Sequence, residues 1–279
     1  MMFGRVLRQK NGLLGVVIAG VVFAVAVLAP VISPYDPYRI DMAESLHPPS
    51  PAHPLGTDVF GRDVMSRLMM GARVSLEVSV LSRIISIVLG TVLGLAAGYF
   101  GGRTDSVIMR TSDVILAYPG LLLLIAVMAA VGPNLGSLIL ALGIVGWAPV
   151  ARIVRAQVLS IREREFVLAV RSLGGRPERI IARHLLPNCA SQLVIVFSMG
   201  LGMGIMAESS MSFLGLGAQP PLPSWGAMIS SGLDYLRVAP WMSLAPGLGI
   251  TVAVLGFNLL GDACRDVMDP KLRHLGKGA

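Results

Sequence analysis

The chain has 279 residues, 54% of them hydrophobic and only 14% charged, with a mean hydropathy of +0.73. A water-soluble domain of this length does not carry that balance, so the composition points to a chain built for a bilayer. The net charge of +7 and pI near 10 come without a basic patch interleaved with aromatics, which argues against a nucleic-acid partner and leaves the basic excess to be read as membrane topology.

Arg5, Arg8 and Lys10 precede an uncharged run from Asn11 to Tyr35, broken only by Pro30 and Pro34. The run exceeds the roughly 7–15 apolar residues of a cleaved leader and meets the roughly 20 needed to cross a membrane. Residues 1–36 therefore read as a cytoplasmic N-terminus with an uncleaved first membrane helix. Residues 37–73 turn polar and proline-rich and read as an extracytoplasmic or interfacial segment. Within it Asp58 and Asp63 suit salt bridges with Arg62 and Arg67 better than a metal, and Asp63 is placed to start a helix whose Met65, Leu68 and Met69 face lipid.

A second span is expected over about 78–100. In it Ser82, Ser86, Gly90, Gly94 and Gly98 recur every four residues, a stripe of small side chains that lets another helix approach closely. Gly101-Gly102-Arg103 makes a cytoplasmic turn, and Val114 to Ala151 is then uncharged for 38 residues. As one helix that run would be about 57 Å long, too long for a single crossing, so Gly132-Pro133-Asn134 divides it into a third and a fourth span joined outside. Pro119, between Tyr118 and Gly120, predicts a kink in the third.

The stretch from Glu163 to Asn188 is the one long charged segment with a helical pattern. Phe166, Ala169, Val170 and Leu173 make an apolar stripe, with Arg164, Glu165 and Arg171 on the remaining faces. Gly174 and Gly175 stop that helix, and Pro177 with Glu178 suits the first turn of another, giving two short helices about a sharp corner.

A fifth span is expected from Leu185 to Ala207, and Glu208 stands at its end. An acidic residue there is costly and faces protein or a water cavity: it is either a pathway or gate contact, or a buried carboxylate bonded to Ser209, Ser212 or a neighbouring helix. Met203 and Met206 join it as candidate pathway residues, flexible apolar lining being the commoner use of such methionines than Cu(I) binding. Trp225, Tyr235 and Trp241 fit an interfacial aromatic belt, and Val238 to Gly261, with Pro246 inside it, is the sixth span. Cys189 and Cys264 read as free thiols. Of 23 Lys and Arg, 17 fall on the side that holds both termini and the 163–187 stretch, which makes that side cytoplasmic.

On these residues the chain resembles a known family. Ala169, Gly174, Leu186 and Pro187 match the coupling-loop pattern of ABC importer permeases, with departures at Leu168, Val170 and His184. His53 to Leu76, with its Gly-Thr-Asp and Gly-Arg-Asp, is similar to the dipeptide/oligopeptide/nickel branch, as are Ser212 to Gly226 and Phe257 to Pro270. The resemblance implies an all-α polytopic membrane protein of six transmembrane helices with a cytoplasmic coupling-helix pair. Its transmembrane domain would cover 74–265, with the coupling loop at 163–187 and a cytoplasmic tail at 266–279. ATPase coupling would rest on Glu165, Phe166, Ala169, Leu173, Gly174, Leu186 and Pro187. It also implies a second homologous permease subunit, two ATP-binding subunits, an extracytoplasmic solute-binding protein and no cofactor. The cargo would be small peptides or, alternatively, nickel or a metal chelate. The chain's only lysines, Lys10, Lys271 and Lys277, are followed by Asn, Leu and Gly, so none serves a phosphate loop and ATP hydrolysis is expected on the partners. An ion-coupled carrier, with Arg83 and Glu208 as its intramembrane charges, has no need of a cytoplasmic amphipathic pair.

Overall fold

The computed structural model describes residues 9–268, and these form helices joined by loops. The parts of the expected cytoplasmic ends at 1–8 and 269–279 lie outside the described residues. Five helices are long and apolar enough to cross a membrane, and a sixth crossing is made if one sharply bent pair counts as a span.

Helix α1 (Lys10–Ile32) runs straight through Pro30 and ends two residues later. It meets the bundle along a narrow line of small residues, with Ala19, Ala26 and Ala29 buried and Gly15 pressed on the backbone of Leu259 and Leu260.

The next helix corrects the sequence reading. α2 (Val64–Phe100) is a single helix of 37 residues, about 55 Å long, so the boundary drawn at residue 73 falls inside it. The Asp63 carboxylate caps its start by accepting from the Ser66 amide at 2.7 Å, and no proline interrupts the helix before Phe100. Met65, Leu68 and Met69 are half-buried and border a groove shared with α1 rather than standing free in lipid. The loop before it is tied by ion pairs of Asp58 with Arg62 at 2.7 Å and Arg67 at 3.5 Å, and by a hydrogen bond between His53 Nδ1 and the Asp63 carboxylate at 2.9 Å.

α3 (Gly102–Ala117) lies beside the bundle, held by Asp105–Arg155 and Asp113–Arg152 pairs. It meets α4 (Gly120–Val131) at 94°, a break where a kink was expected. Tyr118, forced to extended backbone ahead of Pro119, ends α3, and the proline caps α4, so neither helix continues through the corner. α5 (Leu135–Val145) and α6 (Trp147–Arg162) then continue into one another as a 28-residue span.

The stripe on α2 faces this span. A Cβ at Gly90 would lie 2.5 Å from Val150 Cβ, at Gly94 2.7 Å from Val154 Cβ and from the Ala151 carbonyl oxygen, and at Gly98 2.7 Å from Val158 Cβ. Ser82 and Ser86 are buried, and Ser86 Oγ donates to the Gly143 carbonyl at 3.0 Å. The stripe thus serves packing within the chain, where backbones touch because nothing larger than hydrogen or a hydroxymethyl intervenes. Gly90→Leu is expected to lower stability by about 3 kcal/mol or more, since the overpacked atom meets backbone and a branched side chain that cannot retreat. Gly20→Leu on α1, where no atom lies within 4 Å of the added Cβ, is the matched control and is expected to leave the unfolding midpoint in detergent unchanged.

α7 (Glu165–Ser172) and α8 (Pro177–Ile180) form the elbow, and a π-turn at Ile181–Leu185 leads into α9 (Leu186–Phe213). α9 runs antiparallel to α2. Ser75 meets Glu208, Ser79 Oγ donates to the Leu201 carbonyl at 2.8 Å, and Arg83 donates to the Val196 carbonyl at 2.6 and 3.2 Å. α10 (Trp225–Gly232) and α11 (Trp241–Met268) complete the bundle, with Pro246 inside α11. The aromatic-belt reading fails for Trp225. Trp225 is buried and its indole N–H donates to the Leu68 carbonyl at 3.0 Å, and that of Trp241 donates to the Thr57 carbonyl at 3.1 Å. Each indole clamps an element to a backbone carbonyl. Cys189 and Cys264 are free.

Candidate functional site

Two places gather the candidate residues. At the first, α7 and α8 stand at the base of α6 and α9. Val167 points inward and is 2% exposed, joining Ile161, Ile180 and Leu185 in a cluster that seats the elbow on the bundle. The opposite row faces out: Phe166 is 41% exposed, Leu173 87%, and Ala169 lies between them. The octapeptide therefore carries two apolar rows, and Val170, grouped with the outward stripe from the sequence, belongs to the inner one. Glu165 is exposed in the first turn of α7, and Leu186 and Pro187 are exposed at the start of α9. Phe166 also stacks loosely on His184, ring centres 6.3 Å apart, which links α7 to the π-turn.

Gly174 makes the corner. Its φ of +76° lies in the left-handed region, and a side chain there is strained although no atom lies within 4 Å of an added Cβ. The Gly174 amide donates to the Arg171 carbonyl at 3.0 Å and the Gly175 amide to the Val170 carbonyl at 3.0 Å, the paired bonds that close a helix C-terminus. Gly175 is needed for space, because its Cβ would come within 2.7 Å of Val170 Cγ1. A helix pair so closed presents its apolar row as a rigid surface. A row left open at the end of a bundle is what a partner protein covers.

The second place is Glu208. It is fully buried inside α9, and its carboxyl accepts from Ser75 Oγ at 2.6 Å, Ser212 Oγ at 2.7 Å and Ser209 Oγ at 3.3 Å. Ser212 Oγ in turn accepts from the Ala218 amide at 3.2 Å, which ties the node to the loop after α9. Of the two readings the sequence left open, this geometry is the structural one: the carboxyl faces protein and has no opening to solvent. Met206 is half exposed and borders a groove of about 510 Å³ with Leu121, Phe213, Ile250 and Thr251. Met203 is 73% exposed on the same helix but is not part of that lining. The three candidates therefore divide, with Met206 on a groove, Met203 on an open face and Glu208 inside.

Val167, Ile180 and Leu185, which hold the elbow, were not picked from the sequence. The available signal was the second apolar row, Val167 with Val170, on the same short helix.

These arrangements can be set beside known proteins. A family model described as binding-protein-dependent transport system inner membrane component matches residues 90–274, and one described as the N-terminal transmembrane domain of oligopeptide transport permease C matches residues 1–49. The dipeptide transport system permease protein DppC of Bacillus subtilis (strain 168) is 42% identical over 271 residues, covering 97% of this chain and 85% of that protein. The glutathione transport system permease protein GsiD of Pectobacterium atrosepticum is 42% identical over 270 residues, covering 96% and 90%. The oligopeptide transport system permease protein OppC of Bacillus subtilis is 37% identical over 265 residues, covering 95% and 87%. The first match contains the elbow and Glu208 with Ser209 and Ser212, though not Ser75.

Proposed function

The chain belongs to the family of binding-protein-dependent transport system inner-membrane components, the permease subunits of ABC importers, and from that premise we propose that it carries small peptides inward across the cytoplasmic membrane. Permeases of this family are not enzymes, and ATP is hydrolysed on separate subunits. The peptide cargo is favoured by the names of the relatives, which include dipeptide and oligopeptide permeases, over the nickel or metal-chelate alternative.

The observation that carries the reading is the outward row Phe166, Ala169 and Leu173 on a helix pair whose inner row is already satisfied by the bundle. We assign this row, with Glu165, Gly174, Leu186 and Pro187 around it, to the contact with one of two ATP-binding subunits. A second permease subunit would complete the pathway, and an extracytoplasmic binding protein would deliver the solute. The excess of Lys and Arg about the elbow supports a cytoplasmic side for it and for both chain ends. The groove bordered by Met206 supplies a flexible apolar wall of the pathway, able to pass side chains of varied shape.

The test is uptake of labelled dipeptides into vesicles that hold the assembled complex. ATP supplied on the elbow side is expected to drive uptake, and an imposed proton or sodium gradient without ATP is expected to drive none. Gradient-driven uptake that ignores ATP would return the chain to the class of ion-coupled carriers.

A further inference from the structure

Because α1 touches the bundle through a line of alanines and glycine, its flanks stand away from their neighbours. One flank and α2 enclose a groove of about 380 Å³. Its walls are apolar, Phe23 and Val27 from α1 with Leu76 and Leu81 from α2, and two charges, Arg73 and Glu77, stand on its rim. Both charged residues are exposed, one helical turn apart, and neither joins an ion pair among the described residues. They sit in the third and fourth turns of α2, after which Arg83 is the one charge before Phe100, and on the proposed topology these turns are the extracytoplasmic end. At that depth a guanidinium is satisfied by a phosphodiester, which its fork matches with two hydrogen bonds. A carboxylate one turn away repels a purely anionic headgroup and calls for a cation. Residues at i and i+4 are about 5–6 Å apart at Cβ, a spacing suited to a headgroup whose phosphate and primary ammonium are joined by two carbons.

We propose that this groove is a binding site for a zwitterionic aminophospholipid of the outer leaflet. The phosphate sits on Arg73, the ammonium on Glu77, and one acyl chain lies between Phe23 and Val27 of α1 and Leu76 and Leu81 of α2. Charge order and groove agree: a protein segment would have to supply one negative and one positive group in that order above an apolar finger, whereas this lipid has all three in one molecule. The bound lipid fills the space that the small-residue contact leaves beside α1 and so fixes that helix against α2.

The experiment uses the full chain, purified with whatever subunits accompany it and reconstituted in phosphatidylglycerol vesicles. These contain a minor fraction of phosphatidylethanolamine with a photoreactive diazirine midway along one acyl chain. Irradiation is expected to label the peptides that hold Phe23 to Val27 and Leu76 to Leu81. Unlabelled phosphatidylethanolamine should compete about threefold better than unlabelled phosphatidylglycerol, the size of a modest interfacial ion pair. Glu77→Gln should remove that preference, and Arg73→Gln should lower labelling by the photoreactive phosphatidylethanolamine about threefold. Both side chains are exposed, so insertion and the unfolding midpoint should be retained. Equal competition by the two lipids, or a preference that survives Glu77→Gln, means bulk lipid only and overturns the proposal. Labelling elsewhere on α1 with none in the groove means that another protein chain covers it, and overturns the proposal too.

Discussion

Gly174→Val is expected to insert, fold and reach the membrane with its partners, and to transport at one tenth of the normal rate or less. The valine meets no neighbour, since no atom lies within 4 Å of the new Cβ. What it meets is its own backbone: at φ +76° an L-residue costs about 1–2 kcal/mol, and a β-branched one is a true outlier. That strain is relieved by reopening the turn, which breaks the Gly174–Arg171 and Gly175–Val170 hydrogen bonds and swings α8 away from α7. A loss of 1–2 kcal/mol reduces the population with a closed elbow about 5–30-fold. The half of the seat before the corner, Val167 against Ile161, is undisturbed, while Ile180 and Leu185 lie beyond it and anchor the chain into α9. ATP hydrolysis by the assembled complex should therefore continue while it no longer follows the addition of solute. Gly174→Asn separates this cause from simple bulk: asparagine takes the left-handed conformation at little cost, so a larger side chain is expected to keep most of the uptake. Normal transport by the valine variant would remove the coupling role from this corner.

The elbow was legible because it is punctuated by residues whose backbone preferences override context: Gly174, Gly175 and Pro177. Which apolar row of α7 turns inward was not legible. An eight-residue helix with Phe166, Val167, Ala169 and Val170, capped by Leu173, supports two stripes, and the choice rests on where Ile161, Ile180 and Leu185 stand in space. The apolar runs gave the spans, but hydropathy marks where a helix becomes greasy, not where it begins. α2 starts at its Asp63 cap, well before its charge-poor run, and carries Arg67, Arg73 and Glu77 as ordinary helical residues. α9 passes beyond Ala207 for the same reason. Its serines bond back to carbonyls four residues earlier, as Ser210 does to Met206 at 2.8 Å, or to Glu208, so polarity does not end the helix. Trp225 misled because an indole N–H has two uses in a membrane protein, and composition cannot tell a headgroup from a carbonyl.

Glu208 gives the other large expected effect, and its two substitutions decide what the residue is for. In Glu208→Ala the hydroxyls of Ser75, Ser209 and Ser212 lose their common acceptor inside the bundle, and a cavity opens where the carboxyl stood. Buried donors left without partners cost about 1–3 kcal/mol each, less when they can turn to one another, so a loss of about 3 kcal/mol or more is expected. Glu208→Gln keeps an acceptor oxygen and turns its amide N–H toward a serine oxygen, and about 1 kcal/mol is expected. The unfolding midpoint in detergent reads both. Uptake per folded complex reads the role: a carboxyl with no opening to the pathway acts through the positions of α2, α9 and the loop at Ala218, so the glutamine variant should transport at close to the normal rate. The alanine variant should lose folded protein first and uptake in proportion. If both variants remained stable and both lost uptake, the carboxyl would instead be meeting the solute's amine, and the closed serine cage around it would have to open during transport.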